Sequence, residues 1–260
     1  MTNVAPNPTQ SYKVDSLTVE VYASQADMAQ AAAAQVQAHL QAVLSRKTAC
    51  RAILASATSQ LEFLAALTSA GAIDWPRVTL FHMDEYLGVG DDHPASFRRF
   101  MREHVASKLP VAAMHYLAGD ADQPLTECRR YGGLLTGEPI DLCCLGIGEN
   151  GHVAFNDPPV ADFEDPDTVK LVQLEERCRQ QQVGEGCFPD LASVPQYAYT
   201  LTVPALLSAE RLFCIVPERR KAEAVRDTLR GEITPRCPAS ILRRHPAATL
   251  YLDGDSASLL

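Results

Sequence analysis

Strand-like and helix-like segments alternate along this chain almost without interruption, and few architectures accept that order. "LTVEVYA" (17–23) alternates as a half-buried strand does, and the helix-forming stretch 24–46 follows it, with Ser24 and Asp27 at its start. "CRAILA" (50–55) is a second strand, and "SQLEFLAALTSAG" (59–71) a helix with capping-box spacing from Ser59 to Glu62. "RVTLFHMD" (77–84), "MHYLAG" (114–119), "IDLCCLGIG" (140–148), "RLFCIVP" (211–217) and "ATLYLDG" (248–254) read as further strands. "YAYTLT", in the region 196–201, reads as another, followed by a helical turn in "PALLSA". Helices are predicted over 95–109, 125–135 and 218–231, with a short one over 238–246. This order predicts an α/β fold with a mostly parallel sheet and helices on both faces.

The chain has 260 residues, 47% of them hydrophobic, enough for one sizeable core. No linker or repeat divides it, so the expectation is a polar tail over 1–14 and a single domain over 15–260. A formal net charge of −9 argues against a general nucleic-acid or membrane-surface binder. No apolar run reaches membrane-spanning length and "MTNVAPNPTQ" has no signal pattern, so a cytoplasmic location is expected. The eight cysteines include no C-x-x-C pair, and no metal site is expected. Cys50, Cys143, Cys144 and Cys214 sit in apolar runs as small core residues, kept reduced in the cytosol.

In a parallel sheet, ligands bind beyond the carboxyl ends of the strands, so chemistry is sought there. After 50–55 come Ser56, Ala57, Thr58 and Ser59, whose hydroxyls precede a helix N-terminus. That combination suits an anion, although simple capping would need Ser59 alone. After 77–84 come Asp84 and Glu85, adjacent carboxylates that repel each other unless one has a task or a partner; an exposed acidic turn would read the same way. After 140–148 comes "GIGENGHVAFND". Its glycines, Gly151 among them, permit tight turns, and His152 is a proton carrier near neutral pH. Asn150 and Asp157 are placed to orient the ring, while Glu149 reads as a solvated charge. Lys221, beside Arg219 and Arg220, opens a helix whose dipole disfavours cations, which suggests an anion gathered there. With no plausible metal cage and no cysteine nucleophile among them, these groups suit proton transfer on a small phosphorylated molecule.

"FHMDEYLG…HPASF", "LGIGENGHVAFND", "YAYTLTVPALL", "ERRKAEAV" and "CPASILRRHP" occur in the same order as in the glucosamine-6-phosphate deaminase (isomerase) family, which the chain resembles over roughly residues 15–255. The resemblance implies a Rossmann-like α/β fold. It also implies conversion of glucosamine 6-phosphate and water to fructose 6-phosphate and ammonia, without metal or organic cofactor. It implies that Asp84 moves a proton between C2 and C1, and that His152 assists ring opening, supported by Asn150 and Asp157. Lys221 and the loop Ser56, Ala57, Thr58, Ser59 would hold the phosphate, with Glu85, Gly151 and Gln182 among the substrate-binding positions.

Departures accompany the likeness. The family's paired glycines in the phosphate loop are Ala57 and Thr58 here. Its phosphate arginine falls near Gln182, and its glutamate after "AFN" is the shorter Asp157. The segment "VADFEDPDTVK", near 160–170, lacks the basic residues of allosterically controlled members, so such control is not expected. Two competing readings remain. A 6-phosphogluconolactonase-type lactone hydrolase would carry Asp-Glu-Arg and Gly-His-Thr-Ala-Ser where this chain has "DEY" and "GHVAFN". A non-catalytic sugar-phosphate-binding regulator would have no use for Asp84 and His152. The partner expected is a small sugar phosphate; which amino sugar it is stays open, as does the oligomeric state, a homo-oligomer being among those allowed.

Overall fold

The computed structural model describes residues 5–260. The strands are β1 (Gln10–Val14), β2 (Leu17–Tyr22), β3 (Cys50–Leu54), β4 (Val78–His82), β5 (Asp84–Tyr86), β6 (Ala113–His115), β7 (Leu142–Leu145), β8 (Val169–Gln173), β9 (Tyr197–Leu201), β10 (Arg211–Val216) and β11 (Ala248–Asp253). The helices are α1 (Gln25–Leu44), α2 (Leu61–Ser69), α3 (Phe97–Met101), α4 (Pro124–Thr136), α5 (Glu176–Gly184), α6 (Val203–Leu207) and α7 (Ala222–Arg230). Eight strands form the main sheet in the order β1-β2-β11-β10-β7-β3-β4-β6, every pairing parallel except the β1–β2 hairpin. This is the α/β architecture with a mostly parallel sheet expected from the alternating pattern, and the Rossmann-like fold that the resemblance implies.

Residues 10–14, read from sequence as the end of the polar tail, are instead β1. Asp15, at a φ of 52°, turns the chain so that β1 pairs with β2, and Tyr12 and Val14 pack on the core. Edge strands with one face in solvent carry few apolar residues, which hides them among polar ones.

Central strands bury both faces. Cys143, Leu145, Leu212 and Cys214 pack on one side of the sheet, and Leu142, Cys144, Phe213 and Ile215 on the other. This is why "LCCL" and "LFCIV" lack period-two alternation. Cys50, Cys143, Cys144 and Cys214 are buried, unpaired core residues, as their sequence context predicted. The Ser24 hydroxyl accepts the Asp27 N–H at 3.1 Å, as expected. The Ser59–Glu62 capping box does not form: residues 58–60 make a 3-10 turn ahead of α2, with no side-chain cap. No helix among the described residues is long and apolar enough to cross a membrane.

Two elements that the alternating pattern did not reveal, β8 and α5, complete a second unit. The antiparallel sheet β5-β9-β8 stands apart from the main sheet, so the predicted strand near 196–201 does not join the parallel array. A separate apolar cluster containing Tyr86, Phe97, Phe155 and Phe188 fastens α5 and the residues after it above the sheet.

Candidate active site

The chain runs outward from β3 through β4 to β6, then returns to place β7 on the other side of β3. The direction of winding therefore reverses between β3 and β7, where an open α/β sheet leaves a crevice at its carboxyl edge. A cavity of about 250 Å³ lies there. Its walls come from residues 55–60 after β3, Met83 and Asp84 after β4, 146–148 and His152 after β7, and Lys221 after β10; Gln181, Gln182, Glu185, Gly186 and Cys187 roof it.

Three polar side chains of the loop after β7 are tied to one another and to Glu175, which stands between β8 and α5. His152 Nδ1 lies 2.7 Å from Asn150 Oδ1 and 2.9 Å from Asp157 Oδ1. Asn150 Nδ2 donates to Asp157 Oδ1 at 3.0 Å and to Glu175 Oε2 at 2.5 Å. Both donors of the amide are thus directed at carboxylates, which turns its oxygen to the imidazole. With two acceptors against Nδ1, the network assigns the proton of neutral His152 to Nδ1 and leaves Nε2 unprotonated. Burial alone would raise the pKa of Asp157, but its bonds to His152, Asn150 and the Glu175 N–H hold it below the usual carboxylate range. The shorter side chain therefore does reach His152, and the Glu175 N–H at 3.2 Å supports its other oxygen. The buried Cys178 thiol comes within 4.8 Å of the same imidazole and carboxylate. Burial keeps that thiol protonated, and the imidazole and carboxylate are already joined by a hydrogen bond.

The backbone accommodates this cluster at two special positions. A Cβ on Gly148 would fall 2.1–2.4 Å from three atoms of the His152 ring. Ala154, on the cavity wall, holds a φ of 50°, which a non-glycine residue adopts at some cost in strain. Gly151, expected at the substrate, is not on the wall. It turns the loop at a φ of 84° and packs against Cys237, where a Cβ would lie 3.0 Å from Sγ.

The two adjacent acids part company because consecutive strand residues face opposite sides. Asp84 faces the cavity; its Oδ1 is buried with no hydrogen-bond partner among the described residues. Burial, and then the charge of Glu85, push its pKa well above the ordinary value. A carboxylate so placed is a strong base once ionised. Glu85 faces away and does not line the cavity, contrary to its expected place at the substrate. It accepts from the N–H groups of Tyr86, Phe97 and Arg98 and from Ser96 Oγ at 2.9–3.1 Å, capping α3.

Ser56, Ala57, Thr58 and Ser59 all line the end of the cavity shared with Lys221, and buried Ser56 Oγ has no partner among the described residues. The Lys221 ammonium is buried in the same wall, and desolvation lowers its pKa. The acids that bear on it, Glu149, Glu185 and Glu218, all pair with Arg220 instead. Glu149 is therefore an ion-pair partner, 3.5 Å from Arg220, and not the solvated charge expected. Gln182 roofs the cavity, its Oε1 accepting from the buried Tyr86 hydroxyl at 2.6 Å. Arg179 is spent on the carbonyls of Leu191 and Val194, and Arg219 is exposed. Glu175, Glu185 and Tyr86 escaped the sequence reading. The first two lie in a stretch with no apolar period, and Tyr86 reads as an ordinary apolar residue.

A base-like carboxylate, an imidazole with an assigned tautomer and a buried ammonium around one crevice define an enzyme of acid–base chemistry on a small anionic molecule. The chain belongs to the family described as glucosamine-6-phosphate isomerases/6-phosphogluconolactonase, matched over residues 23–251. It is 36% identical over 187 residues to the glucosamine-6-phosphate deaminase of Bacillus cereus (strain G9842), covering 72% of this chain and 70% of that one. The fold superposes on a solved monomeric glucosamine-6-phosphate deaminase with a TM-score of 0.85 and 29% identity, over 93% of this chain and 99% of the other. The 6-phosphogluconolactonase of Trypanosoma brucei has a TM-score of 0.76 at 17% identity, over 96% of this chain and 100% of that chain, a likeness of fold alone.

Proposed function

We propose that the protein is a glucosamine-6-phosphate deaminase, converting glucosamine 6-phosphate and water to fructose 6-phosphate and ammonia. The observation that carries this reading is the meeting of Asp84, His152 and Lys221 on one cavity wall, each at the end of a different strand. Lys221 and the hydroxyl loop 56–59 hold the phosphate. His152 Nε2 takes the proton of the C1 hydroxyl, and returning a proton to the ring oxygen opens the sugar. Asp84, ionised, then removes the C2 proton while the aldehyde oxygen gains one, giving an enolamine. Asp84 returns its proton to C1, which leaves an iminium at C2. Water adds there and ammonia departs, leaving the ketone. A base with a raised pKa suits this relay, since it must both take and give back a proton.

The family likeness supports the deaminase over a lactonase, because the relatives at 36% identity and the solved enzyme at 29% identity are deaminases, whereas the lactonase likeness is at 17%. A cytoplasmic location is part of the same reading, supported by eight unpaired cysteines, six of them buried. The test is ammonia release from a panel of 2-amino-2-deoxy sugar 6-phosphates, alongside hydrolysis of 6-phosphogluconolactone. Lactone hydrolysis without ammonia release would overturn the reading.

A further inference from the structure

One acid is out of place in a pocket for a phosphate. Glu185 lines the cavity beside Lys221, with its side chain only 5% exposed. Three donors hold its carboxylate: Thr58 Oγ1 at 3.3 Å, Gln181 Nε2 at 2.8 Å and Arg220 Nη1 at 3.0 Å. A hydroxyl, an amide and a guanidinium are the groups that hold an oxyanion of any kind. Thr58 belongs to the same loop as the unpartnered hydroxyl of Ser56, and Arg220 directly precedes the buried ammonium.

We propose that the Glu185 carboxylate occupies part of the phosphate subsite in the free enzyme, and that Arg220, whose Nη1 it holds, is the second cation of that subsite. The inference rests on the substrate being phosphorylated, as argued above. A phosphate dianion offers Thr58, Gln181 and Arg220 more acceptor oxygens and more charge than one carboxylate does, so it displaces Glu185.

Two local features make the exchange feasible. Glu185 stands between Gly184 and Gly186, where an added Cβ would meet nothing within 4 Å, and Gly186 is at a φ of 76°. The backbone on both sides is thus free of side-chain packing and can carry the carboxylate away. Arg220 stays in place meanwhile, because Glu149 and Glu218 also pair with it. The arrangement sets one displacement cost for every anion: a free inorganic anion has no sugar contacts to offset it, whereas the whole substrate has them, so weakly bound anions are kept out at low concentration while the ratio of the two affinities is unchanged. It also accounts for the cation that Gln182 does not supply.

The test is Glu185→Gln, which keeps the length and the hydrogen bonds to Thr58 and Gln181 but removes the charge. KM for glucosamine 6-phosphate and Ki for inorganic phosphate should both fall about 5-fold, the scale of one charge contact whose guanidinium side is partly exposed. Inhibition by unphosphorylated glucosamine should not change. Glu185→Ala should lower Ki for phosphate in the same direction, and Arg220→Gln should raise KM and Ki together. Unchanged or raised values for phosphate in both Glu185 variants would overturn the inference and make Glu185 a strut of the roof; so would loss of the fold in both, read by melting. A wild-type enzyme that releases no ammonia from glucosamine 6-phosphate would sink the functional reading instead. Phosphate affinity, measured by calorimetry, would still report on Glu185 in that case.

Discussion

Gly148 has no side chain because the imidazole of His152 lies where one would be: a Cβ on Gly148 would fall 2.2 Å from Nε2. The absent methyl is thus as much a part of the site as the ring. In Gly148→Ala the ring must swing away from Asn150 and Asp157. Turnover should fall by about 100-fold, the scale of a lost general acid–base group, while the sheet and its melting transition survive. Near-normal turnover would mean that His152 works from another rotamer.

Among the described residues Lys221 is the one buried ammonium on the cavity wall, and its neighbouring acids are engaged by Arg220. Lys221→Ala should raise KM by about 10-fold or more with a smaller change in kcat, as expected for a lost charge-assisted contact of roughly 1.5–3 kcal/mol. Burial lowers its pKa, so KM of the wild-type enzyme should begin to climb at a pH below that at which an ordinary lysine titrates. Steady-state kinetics across pH check both expectations.

Asp84 should cost stability in proportion to what it gives catalysis. Its folded pKa is raised well above 3.8, so the unfolded chain ionises it at lower pH than the folded one. Rising pH therefore favours unfolding. The penalty is absent below about pH 3.8 and grows from there until the raised folded pKa is passed. Asp84→Asn removes it and should raise the melting temperature at neutral pH by about 4 °C. That gain should shrink as the pH is lowered toward 4. Equal melting temperatures at every pH would mean that Asp84 is not strained by burial.

The central strands were legible because burial on both faces writes continuous apolar runs into the chain, as in "LCCL" and "LFCIV". The loops after them followed from the rule that parallel sheets bind at their carboxyl edge, and Asp84, His152 and Lys221, picked out by that rule, line one cavity. The rest lay in non-local pairing. Residues 84–86 belong with 197–201, more than a hundred residues away, and nothing in "DEY" announces that partner. The strand pleat alone would have separated Asp84 from Glu85, since neighbours in a strand face opposite ways. α5 was missed because "ERCRQQQVG" has no apolar stripe; only Cys178 and Gln182 are buried, four residues apart. Glu185 therefore looked like one more charge in a polar stretch.

The most direct measurement for the account as a whole is exchange of the C2 hydrogen of glucosamine 6-phosphate with solvent deuterium, followed by NMR in wild type and Asp84→Asn. The account predicts enzyme-dependent exchange in the wild type. In the variant it predicts exchange at least about 100-fold slower, with substrate still binding. Wild-type exchange rates in Asp84→Asn would contradict the assignment of Asp84 as the base that moves the proton.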